Sequence, residues 1–246
     1  MSKTIMILGA GTMQLPAIQA ARRKGYRTIV ADGNPDAEGA ALADIFENVD
    51  LKDKDGMLRA ARRHREGDGL DGIFTAGTDF SATVAFVAEN LGLPGIPYEV
   101  ALNASDKARM RECFRKAAVP HPRFAVVDAW SVRIEGEAVA ELSLPVVVKP
   151  VDNMGARGVA KVAAAGELPR IVGQAAAYSR EGRVIVEELI PGPEFSIDSV
   201  VTDGTVIATG VADRHIRFDP YFVEVGHTIP TALPSSDVGE LIRVFT

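Results

Sequence analysis

Thr4-Ile5-Met6-Ile7-Leu8-Gly9-Ala10-Gly11 decides how the front of this chain is read. A short apolar run that ends in two closely spaced glycines is a strand feeding a tight turn. Residues 13–24 then carry Met13, Ala17, Ile18 and Ala21 on one helical face, with Arg22, Arg23 and Lys24 closing the helix and Gly25 stopping it. Pro16 falls in the first turn, where backbone N–H groups have no helical partner anyway. The alternation continues outward. Residues 27–31 read as a strand ending in the turn Asp32-Gly33-Asn34-Pro35, followed by a short helix and a strand at 45–49. A helix at 54–65, a strand at 72–76 and a helix at 80–90 complete the pattern. Short apolar strands separated by helices predict a parallel sheet covered on both faces.

The pattern changes at Leu93-Pro94-Gly95-Ile96-Pro97, a punctuated connector that marks a boundary. Ser105 reads as the N-cap of a helix to Ala117, broken by Val119-Pro120-His121-Pro122. Pro145-Val146-Val147-Val148-Lys149-Pro150 reads as a buried strand with a lysine near its end. The small-residue loop Asp152-Asn153-Met154-Gly155-Ala156-Arg157-Gly158 follows it. A strand at 159–163, a helix at 166–179 and a strand at 183–187 come next. Residues 194–214 read as two antiparallel strands turning at Asp203-Gly204, and 236–245 as a helix.

Composition excludes several classes. The 246 residues are 47% hydrophobic and 24% charged with a net charge of −6, an ordinary globular balance that does not favour nucleic acid as a partner. The cluster Arg62-Arg63-His64-Arg65 is followed at once by acids and reads as a solvated helix face. The single cysteine, Cys113, forms no intrachain disulfide and reads as a half-buried structural thiol. The N-terminus runs straight into a strand and no apolar run is long enough to span a bilayer, so no membrane partner is expected and the cytoplasm is the expected location. The four histidines have no metal-ligand spacing, and neither a GxSxG elbow nor a Walker A motif is present.

The Gly9-Ala10-Gly11 turn admits three readings: a purely structural turn, a seat for a substrate carboxylate or phosphate at a helix N-terminus, or a dinucleotide fingerprint. The last has Asp32 in its favour, near the spacing of a ribose-binding acid, and Gln14 against it, because a third small residue belongs at that position. Lys149 either meets negative charge or snorkels to the surface, since a lysine closing an apolar strand cannot stay buried and unpaired. The loop after it has glycines that let backbone N–H groups approach a polyphosphate. Glu187 and Glu188, adjacent on an extended chain, point to opposite faces, so one can enter a pocket while the other stays solvated. The backbone beyond them offers the donors and acceptors that an adenine edge needs, and Glu194, past the bend Pro191-Gly192-Pro193, could accept from a ribose diol. Both features are also compatible with an ordinary charged strand end.

These pieces, in this order, resemble the ATP-grasp superfamily over essentially the whole chain. Residues 5–50 resemble the pre-ATP-grasp domain of carboxylate–amine ligases and carbamoyl phosphate synthetase-like proteins. The resemblance implies an α/β chain: a Rossmann-like parallel domain at 1–103, then an incomplete α+β ATP-grasp fold at 104–246. Its lid subdomain spans about 122–187 and its C-terminal subdomain starts at 188. It implies phosphate-binding roles for Lys107, in Ser105-Asp106-Lys107, and for Lys149, in Val148-Lys149-Pro150. The lid loop then includes Gly155, Ala156 and Gly158. An adenine-reading hinge falls at Glu187, Glu188 and Leu189, a ribose acid at Glu194, and a substrate seat at Gly9 and Gly11. Residues 221–234 look like a segment of the amino-acid and peptide ligase branch, in which Gly226 and His227 approach the reacting phosphate. The rival reading of His227 is a structural hydrogen-bonder.

Family members activate a carboxylate with ATP as an acyl phosphate that an amine then attacks. ATP and Mg²⁺ are therefore the implied cofactors, and a small carboxylate and an amine the implied partners. The family's metal ligands lie several tens of residues beyond a segment like 221–234, so none is expected here. The expectation is a truncated ligase, inactive alone, with a homodimer or a complementing C-terminal chain left open. Other readings are a non-catalytic nucleotide-binding module, half of a split carbamoyl phosphate synthetase-like enzyme, and a nicotinamide-dependent oxidoreductase.

Overall fold

The computed structural model describes residues 2–67, 69–130 and 139–245. Residues 131–138, inside the expected lid subdomain, lie outside that description, as do Asp68 and the terminal Thr246. The chain divides into two compact units, Met1–Asp106 and Lys107–Thr246.

In the first unit, β1 (Thr4–Leu8), β2 (Arg27–Asp32), β3 (Ile45–Asn48) and β4 (Gly72–Thr75) form one parallel sheet in the order β3-β2-β1-β4. Strand order reverses at β1, so chain crossovers leave on both sides, as a doubly wound sheet requires. Its helices are α1 (Leu15–Arg23), α2 (Lys54–Gly67), α3 (Ser81–Leu91) and α4 (Tyr98–Ser105). Alternate strand residues feed two cores. Met6, Leu8, Ile29 and Ala31 pack with Met57, Leu70 and Val87, while Ile7 and Val30 pack with Ile18 and Ala21. Where a short helix was expected before β3, the chain makes a single 3₁₀ turn at Ala40–Leu42.

Two expectations fail here. Ser105 does not cap the helix that follows it. Its hydroxyl donates back to the Ala101 carbonyl at 2.7 Å, so it ends α4, and the extended Asp106 (φ −105°, ψ 120°) separates α4 from α5 (Lys107–Lys116). The cluster Arg62–Arg65 is not uniformly solvated. His64 is buried, its Nε2 lies 2.7 Å from Glu47 Oε1, and Arg63 pairs with the other Glu47 oxygen at 2.9 Å. A run of like charges on a helix still has one residue in about four facing inward, and here that residue is His64.

Asp44 ties β2 to the chain entering β3. Its Oδ2 accepts from the Thr28 N–H at 2.7 Å and the Thr28 hydroxyl at 2.8 Å. These bonds, helped by Arg22 and Arg27, hold its carboxyl below the ordinary carboxylate range. The lowered group stabilises the fold above that range, and the contribution is lost as pH falls through the lowered value. Asp44→Asn is therefore expected to melt at a lower temperature at neutral pH and to show a shallower acid loss of Tm. Superimposable Tm–pH curves would rule this role out.

In the second unit, β5 (Phe124–Asp128), β6 (Val146–Pro150), β7 (Ala160–Val162) and β8 (Arg183–Glu188) form an antiparallel sheet in the order β5-β8-β6-β7. One face, with Val146, Val148, Val184 and Val186, packs on Val172, Ala175 and Ala176 of α6 (Leu168–Ala176). The other face places Ile185 against Ala108 of α5, with Val151, Phe124 and Val126 around it. A second antiparallel sheet holds β9 (Glu194–Thr202), β10 (Thr205–Arg217) and β11 (Val223–Thr228), with β10 central, and α7 (Ser235–Phe245) follows. The hairpin turn falls at Asp203 and Gly204, both at positive φ.

Candidate functional site: a cationic face on the second unit

The register of the β5–β8–β6–β7 sheet sets the site. Glu187 lies opposite Phe124 on one side and Val147 on the other, and Lys149 lies opposite Ile185. Residues two apart on a strand share a face, so Lys149 and Glu187 emerge together on the face that α5 covers. Glu187 is buried, its side chain 4% exposed, yet both its oxygens are occupied. Oε2 takes the Lys149 ammonium, and Oε1 takes Arg111 Nε at 2.5 Å. A buried carboxylate needs such partners. Lys149 thus meets negative charge inside the protein.

Lys107 stands one helical turn before Arg111 on α5, so the two share a face of the helix. Its Nζ donates to the Asn153 carbonyl at 2.5 Å, which brings the glycine-containing loop 152–158 to the cations. The start of that loop is stapled down. Asp152 Oδ2 accepts from the N–H groups of Arg180 (2.8 Å) and Glu181 (3.2 Å), and Asn153 Nδ2 donates to the Tyr178 carbonyl at 2.8 Å. The rest of the loop turns through positive φ at Gly155, Ala156 and Gly158. The N–H groups of these three donate no hydrogen bond among the described residues. Gly158 is required on two counts: its φ is +74°, and a Cβ there would lie 2.9 Å from Tyr178 Cβ.

Glu188 points to the opposite face from Glu187, where its Oε1 accepts from the Ser143 N–H at 2.9 Å and faces Arg123. The Leu189 N–H is spent on the Pro145 carbonyl at 3.1 Å. It cannot also read a nucleobase, because a backbone N–H is a single donor. The first N–H after it that is not engaged in the described chain belongs to the exposed Ile190.

Glu194 and His227 lie on the other sheet, both directly opposite Arg214. Arg214 bonds Glu194 Oε2 at 2.8 Å and clamps Glu224 Oε2 through Nε and Nη2, at 2.8 and 2.5 Å. Its hydrogen bonds, with its charge and that of His227, hold the Glu224 carboxyl below the ordinary range. His227 Nε2 lies 3.4 Å from the Ser196 hydroxyl and 3.6 Å from Glu224 Oε1. Sequence reading missed Arg111 and Arg214. Arg111 carried a signal, its one-turn spacing from Lys107. Arg214 carried none, because its partners depend on strand register.

The Gly9–Gly11 turn, in the first unit, is largely occupied by the protein itself. Gly9 N–H donates to Ala31 O (2.8 Å), Ala10 N–H to Asp32 Oδ2 (2.8 Å), and Ala10 O accepts from Gly39 N–H (2.7 Å). The buried Gln14 packs against Gly9 and donates to the Ala76 carbonyl at 2.6 Å. The second Asp32 oxygen accepts from Asn34 N–H at 2.8 Å. A dinucleotide would need the space Gln14 fills and the carboxylate the turn uses. Of the two glycines, Gly11 keeps the more open backbone. Among the described residues no group of three or more His, Cys, Asp or Glu could hold a metal ion, and no helix is long and apolar enough to cross a membrane.

Comparison with known proteins agrees with this architecture. The ATP-grasp N-terminal domain family matches residues 18–95, and an ATP-grasp domain family matches residues 142–246. D-alanine–D-alanine ligase of Pseudomonas putida (strain GB-1) is 34% identical over 158 residues, covering 60% of this chain and 48% of that protein. Carnosine synthase 1 of Gallus gallus is 26% identical over 264 residues, covering 98% of this chain and 28% of that protein. The crystal structure of L-amino acid ligase from Bacillus licheniformis superposes with a TM-score of 0.80 at 22% identity, covering 99% of this chain and 58% of that one. The chain thus spans half or less of these curated relatives. With a doubly wound front unit, a four-stranded sheet carrying paired cations beside a glycine-containing loop, and family matches in both units, the chain belongs to the ATP-grasp superfamily.

Proposed function

We propose that this chain is the nucleotide-binding part of an ATP-dependent ligase that activates a small carboxylate as an acyl phosphate for attack by an amine. One observation carries the reading: Arg111 and Lys149 converge on the buried carboxylate of Glu187, and Lys107, one turn before Arg111, holds the neighbouring loop with its uncommitted N–H groups. Arg111 and Lys149 share that one carboxylate, so the pair carries more positive charge than Glu187 neutralises, and such a face favours a polyphosphate. Lys107 and Lys149 bind phosphate oxygens, the amides of Gly155, Ala156 and Gly158 cover them, and Ile190 rather than Leu189 offers its N–H to the adenine edge. Glu194, held through one oxygen by Arg214, leaves the other to accept from a ribose hydroxyl.

In the reaction, a carboxylate oxygen attacks the γ-phosphorus of ATP, the bond to the β,γ-bridging oxygen breaks, and ADP leaves. The amine nitrogen then attacks the acyl carbon, the acyl C–O bond breaks, and phosphate departs as the amine loses a proton. Lysines and backbone amides aimed at the moving phosphoryl group stabilise its charge. Mg²⁺ is the metal such chemistry uses. The described residues supply no ligand set for it, so no step here is routed through it. His227 is the residue proposed to approach the reacting phosphate. The test is a nucleotide series measured by calorimetry. Affinity is expected to rise from adenosine through AMP to ADP and ATP. Equal affinity for adenosine and ATP would remove the phosphate site.

A further inference from the structure

We propose that Arg111 is a positioning residue: the standing counter-ion of Glu187 that frees Lys149 to leave for the nucleotide phosphates. The inference rests on the nucleotide reading of this face. Glu187 divides its two oxygens between two cations, and its side chain is only 4% exposed. If Lys149 were its sole partner, moving that ammonium to a phosphate would strand a buried carboxylate, which is strongly unfavourable. The Arg111 contact removes the obstacle, because Glu187 keeps a charged donor throughout.

The two cations are suited to different parts. Arg111 carries a planar, permanently charged head on α5, a helix seated on the sheet through Ala108. Its guanidinium also lies 5.6 Å from the Phe114 ring centre and 3.9 Å from Met110 Sδ, contacts that hold it in place. Lys149 is a compact ammonium on a flexible stem with rotatable donors, so it can exchange one anion for another. Nucleotide arrival then swaps the partner of Lys149 from Glu187 to phosphate, while Arg111 stays.

The test compares ATP and adenosine binding by calorimetry, with thermal melts, in the wild type, Arg111→Met, Arg111→Lys and the double variant Arg111→Met/Glu187→Gln. Arg111→Met is expected to weaken ATP roughly tenfold or more, because Lys149 is now locked to Glu187. Adenosine, which has no phosphate to compete for Lys149, is expected to change much less. Removing the Glu187 charge in the double variant is expected to restore ATP affinity to within about threefold of the wild type, as nothing then holds Lys149 back. A merely structural Arg111 would weaken both ligands alike, and losing Glu187 as well would not rescue it. The proposal is overturned if folded Arg111→Met binds ATP like the wild type, or if the double variant stays as weak as Arg111→Met. Should Arg111→Met not fold, Arg111→Lys and the double variant carry the comparison: ATP affinity within about threefold of the wild type in both supports the proposal, since one keeps a cation beside Glu187 and the other removes the charge that holds Lys149, and a larger loss in either overturns it. A wild type that binds no ATP would instead overturn the nucleotide reading itself.

Discussion

Lys149→Ala is expected to weaken ATP binding by about 10- to 100-fold, the worth of a charge-assisted hydrogen bond to a phosphate in a partly desolvated site. The reason lies in the strand. β6 is apolar along its buried face, and its register delivers one ammonium to the face shared with Glu187. No other residue of β6 carries charge. The fold should survive the change, because Glu187 retains Arg111 at 2.5 Å. Calorimetric titration and a thermal melt of the same sample separate the two effects. A folded Lys149→Ala protein with ATP affinity within twofold of the wild type would remove Lys149 from the site.

The second large effect is on stability. Ile185→Ala is expected to cost about 2–5 kcal/mol, the range for emptying a fully buried aliphatic site. Ile185 is 0% exposed and forms the contact between the β8 face and α5, with Ala108 and Val151 against it. It is also two residues from Glu187 on the same face, so the cavity would loosen the seat of the helix that carries Lys107 and Arg111. Urea denaturation reads the loss as a lower midpoint at unchanged slope. A loss under about 1 kcal/mol would mean that α5 does not pack on this sheet as described.

The elements that were legible in the sequence were those whose pattern is local. β1 and β2 are apolar runs that end at turn signals, and the hairpin announces itself by the Asp203-Gly204 pair, which the structure places at positive φ. What was lost depended on tertiary context. The helix Tyr98–Ser105 hid between a proline connector and a serine whose hydroxyl bonds backwards rather than forwards. His64, on helix α2, looked like one more surface charge until Glu47 claimed it from strand β3. Phe124–Asp128 and Val223–Thr228 went unread as strands, which they become through pairing with β8 and β10.

The candidate site divides the same way. Lys149 stood out because a lysine closing an apolar strand demands a counter-charge, but the sequence could not say that the charge is Glu187. The alternation of Glu187 and Glu188 was readable from strand geometry alone. The commitment of the Leu189 N–H to Pro145 was not, since it arises from β6 lying alongside β8. Asp32, which looked well spaced for a ribose, is spent on the N–H groups of Ala10 and Asn34.

The most direct test of the account is hydrogen exchange with and without saturating ATP. Slower exchange is predicted in peptides covering residues 107–116, 146–158 and 183–190, with residues 4–14 unchanged. Protection confined to the Gly9–Gly11 turn, or no protection anywhere in a folded protein, would contradict the claim that the second unit holds the nucleotide.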